Sequence, residues 1–422
     1  MKLNEKGWLK NYLELRKEPL VNNSIVGSLR ASHPEHALYR ILQPSGLMYG
    51  QSFGELNLPE ADQMDKKSRL RILLAESLIS SSLLSHNQPL NNNQDHSDII
   101  LKTLESIGNF YNNIFPELAI SSKTILGRKK SSIDLAERIL DKRVDYAGTF
   151  AGNFWSSFFH NSLLFLDIFI YGQWIHTNSD RIVVDFLRYE REELRFSAAK
   201  VIAASAHANK VVSAEERKLY ELFIDSTDFS SEQKKEAQKI FEEGFNIENF
   251  KLPSENSWIL KKYFLEISIL TIWADRHLED AELDFLKGFS TYLNLSEDDL
   301  DNSMIAIEGF VLDHWEHLEV LKERHDYKLI SDEFIARLTA VAVKNKTRLV
   351  KSMSQNPEVS ALAKKARSTE LSEKEKERMR VELIRMLKNI PAFGIVSLPE
   401  RFLTLPVLLK ILPKTLFAEG NT

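Results

Sequence analysis

Apolar residues recur along much of this chain at the spacing of an α-helix. Between Ser68 and Ser85, Leu70, Leu73, Leu74, Leu78 and Ile79 fall among Arg69, Arg71 and Glu76, which predicts an amphipathic helix. The asparagine-rich stretch 86–98 reads as a solvated loop. A second helix is expected from Asp98 into Phe110. A third follows the basic loop LGRKKSSID, with Ser132 as its cap and Leu135, Ile139, Leu140 and Val144 on one face. Farther on, Ser331–Ser354 predicts one helix through Phe334, Ile335, Leu338, Val341 and Leu349. A polar connector, SQNPEVS, then leads to a charged helix carrying Leu371, Met379, Leu383 and Leu387. Ser372 and Glu375 have the spacing of a capping box at its start.

Residues 153–175 are apolar nearly throughout, and their length suits a bilayer. Asp167 sits near the middle, where a carboxylate costs about 2.5–3.5 kcal/mol on insertion scales. That charge favours a buried core helix over a membrane span or a membrane-surface helix.

An internal repeat follows, 194–245 and 260–310. Ala208 matches Ala274, Asn209 matches Asp275, Val212 matches Leu278 and Glu216 matches Glu282. Phe223 then matches Phe289 and Ser230 matches Ser296, all at an offset of 66 residues (208 to 274). Each copy closes on Glu-Gly-Phe, at 243–245 and 308–310. Each also predicts an apolar helix, a short turn, and a helix opening with early acids that suit a helix N-terminus. Ser230 and Ser296, each followed by acids, cap a third helix. This pattern resembles the TerB-like domain of the tellurite-resistance proteins. The resemblance implies a helical bundle in which acids near the turn can hold a divalent metal, here Asp275, Glu279 and Glu282. In the first copy Asn209 stands in place of the aspartate. The same acids also serve as helix-start charges, and both readings stand.

The C-terminal stretch changes character. Four prolines, Pro391, Pro399, Pro406 and Pro413, interrupt an apolar text at spacings of 8, 7 and 7, which predicts a helical segment kinked toward one face. Glu400, Arg401, Lys410 and Lys414 break any run of span length. The segment could lie on a membrane surface, cross as part of an oligomer, or pack as a hairpin. It resembles the leucine-zipper/EF-hand-containing transmembrane (Letm) family of the mitochondrial inner membrane. Leu371-Ser372 through Arg380 match that family's charged helix, Arg385 precedes Pro391, and Pro399, Leu405-Pro406, Lys410 and Pro413 fall in register with its membrane segment. Phe402 stands where the family has an acid, with Glu400 two positions earlier. The combination is similar to a bacterial Letm-related group named for biofilm association. The resemblance implies contact with membrane lipid or a membrane protein, a role in ion homeostasis, and ribosome binding.

Composition narrows the remaining classes. The chain has 422 residues, room for two or three domains. Only 15 glycines and 12 prolines argue for long helices over a many-stranded sheet. There is no cysteine, which excludes disulfides, thiolate metal sites and a cysteine nucleophile. The charged start, MKLNEKGWLKNYLELRKEPL, lacks the apolar core of a signal peptide. With 55 basic and 60 acidic residues, and GRKK at 127–130 isolated, nothing points to nucleic acid. No nucleophile or phosphate-loop motif occurs. The one cluster with catalytic or metal-binding residue types is Asp313, His314, Glu316 and His317, with His277 and Asp275 as further ligands, and surface-helix histidines are its plain reading. His207 and His277 read as turn-satisfying side chains.

The expected fold is therefore all-α: multi-helix bundles with a duplicated TerB-like three-helix unit and a proline-kinked C-terminal helical segment. The expected parts are 1–180, a helical region; 181–330, the duplicated bundle; and 331–422, Letm-like, with a membrane-segment-like stretch at 386–417. The expected function is non-enzymatic: a cytoplasmic protein associated with the inner membrane, acting as an envelope or ion-homeostasis scaffold. The alternative is a soluble TerB-like metal-responsive stress or sensor protein. No cofactor is expected beyond a divalent metal.

Overall fold

The computed structural model describes residues 3–22, 64–85, 93–121, 130–147, 154–177, 180–254, 256–273, 279–313, 324–366 and 368–394, with most positions in 35–42 and 396–416. It is all-α, and the described residues include no strand. They fall into two compact units, Met1–Ile267 and Ser268–Thr422. The first holds α1 (Trp8–Asn22), α2 (Lys66–Ser85), α3 (Asn93–Ile114), α4 (Ser132–Ala147), α5 (Phe154–Trp174), α6 (Arg181–Ala206), α7 (Ala214–Ser226) and α8 (Ser231–Glu243). Helix α9 (Trp258–Ile272) carries the boundary. The second unit holds α10 (Asp280–Tyr292), α11 (Glu297–Asp313), α12 (Arg324–Lys344), α13 (Lys346–Ser354), α14 (Pro357–Lys365), α15 (Glu373–Lys388), α16 (Pro391–Gly394) and α17 (Leu405–Ile411).

Helix α5 is the centre of the first unit. A helix apolar on all sides has to be surrounded, and α5 packs against α2, α3, α4, α6 and α7. Its Phe159 meets Phe223 of α7 edge-on at 5.4 Å, and its Phe165 stacks on Tyr263 of α9 at 4.8 Å. Tyr171 meets Phe110 of α3 at 5.3 Å, and its hydroxyl shares a 2.9 Å hydrogen bond with Ser82 of α2. The central carboxylate is absorbed the same way. Arg143 of α4 donates from Nε to Asp167 at 2.6 Å and from Nη2 at 3.1 Å, while the Tyr111 hydroxyl of α3 donates at 3.2 Å. Asp167 is 1% exposed and Arg143 is 3% exposed. Burial opposes the Arg143 charge, but Asp167 more than offsets it and raises the guanidinium pKa; burial likewise raises the Tyr111 phenol. Of the readings open for 153–175, the core helix is the one observed. Among the described residues no helix is long and apolar enough to cross a membrane.

In the second unit α11 packs on α12 and α16, and α17 lies on α12 and α15, while α13, α14 and α15 pack on one another. Phe334 of α12 meets Phe402 edge-on at 5.6 Å.

Four local expectations change. The polar stretch 86–98 is not wholly a loop, because α3 already begins at Asn93. The cap of α4 is Ser131, whose hydroxyl accepts from the Asp134 amide at 3.1 Å, one residue before the expected Ser132. The single helix expected over 331–354 is broken at Asn345, whose side-chain amide donates to the Val341 carbonyl at 3.0 Å and competes with the helical ladder. The connector SQNPEVS opens α14, with Asn356 as the cap and Pro357 in the first turn, where its missing N–H costs nothing.

Removing one member of a buried ion pair strands the other. Arg143→Met is expected to destabilise the first unit by about 3–5 kcal/mol, and Arg143→Met with Asp167→Leu to recover most of that loss. Urea unfolding followed by circular dichroism measures both; equal stability of the single variant and the wild type would show that the pair carries no weight.

Candidate functional site

The residues singled out by sequence fall into three groups, the acids at the repeat turns, the cluster at Asp313–His317 and the C-terminal proline segment. The repeat has a shared local structure. Helices α7 and α8 start at 214 and 231, and α10 and α11 start at 280 and 297, again 66 residues on in each case. In the first copy Ser213 caps α7: its hydroxyl accepts from the Glu216 amide at 3.1 Å, and the Glu216 carboxylate accepts from the Ser213 amide at 2.8 Å. In the second copy the Glu282 carboxylate accepts from the Glu279 amide at 2.8 Å. Glu216 and Glu282 are 0% and 1% exposed, so both are buried acids holding a helix start. Ser230 with Gln233, and Ser296 with Asp299, form the matching reciprocal caps at the next helix.

Of the candidate metal ligands, then, Glu282 is engaged with backbone, Glu279 is exposed, and Asp275 lies outside the described residues. No group of three or more histidine, aspartate or glutamate side chains able to hold a metal occurs among the described residues. His277, His314, Glu316 and His317 also lie outside them, and Asp313 is the last residue of α11. His207 behaves as expected of a turn residue: it ends α6, and its Nε2 meets the Phe241 carbonyl at 2.7 Å.

The proline segment is packed, and its prolines open or follow helices instead of kinking a long one. Pro391 is the first residue of α16 and Pro406 lies in the first turn of α17, positions that need no intrahelical N–H. Pro413 follows the end of α17, and Pro399 is buried in the turn before it. Met386, Leu387, Ile390, Phe393, Leu403, Leu408 and Ile411 are all buried in the protein. Arg385 is exposed and pairs with Glu382 at 2.6 Å, Lys410 is exposed, and Glu400 lies outside the described residues. Gly309 makes room for this segment: a Cβ there would stand 3.1 Å from Pro399 Cδ. The corresponding Gly244 does something else, ending α8 with a φ of 77°.

Like the Arg143–Asp167 pair, another buried polar contact is not foretold by the sequence pattern. Glu308, fully buried on α11, accepts from Arg337 Nη2 of α12 at 3.1 Å and from its Nε at 3.2 Å. Asp301 stands 3.8 Å from the same guanidinium. The available signal was a lone acid inside the apolar run MIAIEGFVL. Burial pushes the Glu308 carboxyl up to about 7; Arg337 pulls it down, and Glu333 and Asp301 raise it again.

The chain matches no family model, no curated protein and no solved structure.

The raised Glu308 pKa has a defined sign. The folded chain keeps this proton where the unfolded chain has released it, so the contribution favours folding at low pH and is lost as pH rises through about 7. The stability of wild type relative to Glu308→Gln is therefore expected to fall by roughly 2–3 kcal/mol between about pH 4 and about pH 7. Parallel stability–pH curves for the two proteins would contradict this.

Proposed function

We propose that this chain is a non-enzymatic helical scaffold that associates with the cytoplasmic face of the inner membrane at its surface, in the manner the Letm resemblance implies, and serves envelope or ion homeostasis. The observation that carries the reading is the state of the proline segment. Its in-phase prolines and basic residues resemble those of a membrane-associated family, while the apolar side chains that insertion would need are spent on α11, α12 and α15. A segment in that state suits peripheral attachment better than insertion. The non-enzymatic part rests on how the buried charges are used: Asp167 is satisfied by Arg143 and Glu308 by Arg337, so both serve the fold. Ribosome binding and a biofilm role come from the resemblance alone. The metal-responsive alternative would require Glu282 to leave the cap of α10.

Cell fractionation tests the reading. Full-length protein is expected in the membrane fraction and to be released by high salt or alkaline carbonate. Protein found wholly in the soluble fraction, at native expression level, would overturn it. Protein that resists carbonate would overturn the peripheral part.

A further inference from the structure

The N-terminal half of α15 and the start of α17 border an open groove of about 630 Å³. Along one face of α15 it is lined by Glu373, Lys376, Glu377 and Arg380, and across from them by Leu405 and Pro406. The four charged positions follow i, i+3, i+4, i+7 spacing, so they form one stripe. The stripe has an order that a random solvated face need not have. Inverting it about the midpoint of 376 and 377 exchanges every acid with a base: 373 maps onto 380, and 376 onto 377.

We propose that this face is a self-association surface, and that its occupant is the same face of a second copy of this chain, with the two α15 helices antiparallel across a two-fold axis. In that arrangement Glu373 faces Arg380 of the second copy and Lys376 faces its Glu377, and symmetry repeats both pairs. A parallel arrangement would set each charge against its own kind, so the pattern selects the antiparallel one. Within one chain the same groups already pair along the helix, Lys376 with Glu373 at 2.9 Å and Arg380 with Glu377 at 2.7 Å, which holds the stripe in place before association. Exposed ion pairs are individually weak and salt-screened. The charges therefore set register and orientation, and apolar contact supplies the rest. Leu405 and Pro406 line the groove, and Leu409, one turn on, is 41% exposed. Self-association of this kind does not depend on membrane attachment.

Sedimentation velocity of the full-length chain over a range of concentrations, at low and high salt, tests the proposal. Wild type is expected to approach twice the monomer mass at low salt and to dissociate as salt rises. Lys376→Glu or Glu377→Lys alone sets like charges face to face and is expected to weaken association by at least about tenfold. Two restorations are expected. The double variant Lys376→Glu/Glu377→Lys re-forms a dimer with itself, and an equimolar mixture of the two single variants re-forms one between them. Restoration in the mixture also shows that each single variant is folded. A wild type that stays monomeric overturns the proposal. So does association unchanged in both single variants, as contact through the exposed Ile182 and Phe186 of α6 would give, and so does failure of both restorations.

Discussion

The buried contact between Arg143 and Asp167 is the constraint on which the first unit turns. Helix α5 is too apolar to face water and too charged at its middle to face lipid. Both conditions are met only if other helices surround it and one of them brings a cation to residue 167. Helix α4 does so with a two-point guanidinium contact, and α3 adds the Tyr111 hydroxyl. The pair adds little net stability over an apolar pair of the same shape, but it penalises any packing in which the two groups miss one another. It thus fixes which faces of α3, α4 and α5 meet, and the aromatic contacts of Phe110, Tyr111 and Tyr171 form around that choice.

Glu308 and Arg337 repeat this logic in the second unit with a different balance. There the desolvated acid has acidic neighbours, and its proton affinity rises toward neutrality. At the residue beside it, Gly309, a Cβ would stand 3.1 Å from Pro399 Cδ. The buried ion pair and the close approach of Pro399 are therefore adjacent on that helix. The C-terminal segment is built on both: short helices begun by proline, with their apolar sides turned onto α11, α12 and α15.

Much of the local structure was legible in particular residues. Ser213 with Glu216, Ser372 with Glu375, and the serines at 230 and 296 stand at the helix starts their spacing implied, because a cap is a bond between near neighbours. The misreadings were local too. Helix α3 begins at Asn93, inside a stretch whose composition suits a loop, and Asn345 divides what periodicity makes one helix, because its side-chain amide bonds the Val341 carbonyl. Of the candidate site, the position of each proline was plain, but its effect was not: proline in a first helical turn and proline within a helix look alike in a list of spacings.

By itself the sequence determined the all-helical class, the starts of α7, α8, α10, α11 and α15, and the reciprocal caps at those starts, since each cap depends on residues within about four positions of one another. Only the tertiary structure decided that α5 lies in a protein core with its carboxylate paired to Arg143, that Glu308 meets Arg337, and that Gly309 yields space to Pro399 while Gly244 ends a helix. These contacts join residues 24, 29 and 90 positions apart (143 to 167, 308 to 337, 309 to 399). No periodicity reports which distant groups will meet once apolar faces close and a buried charge must find its counterpart.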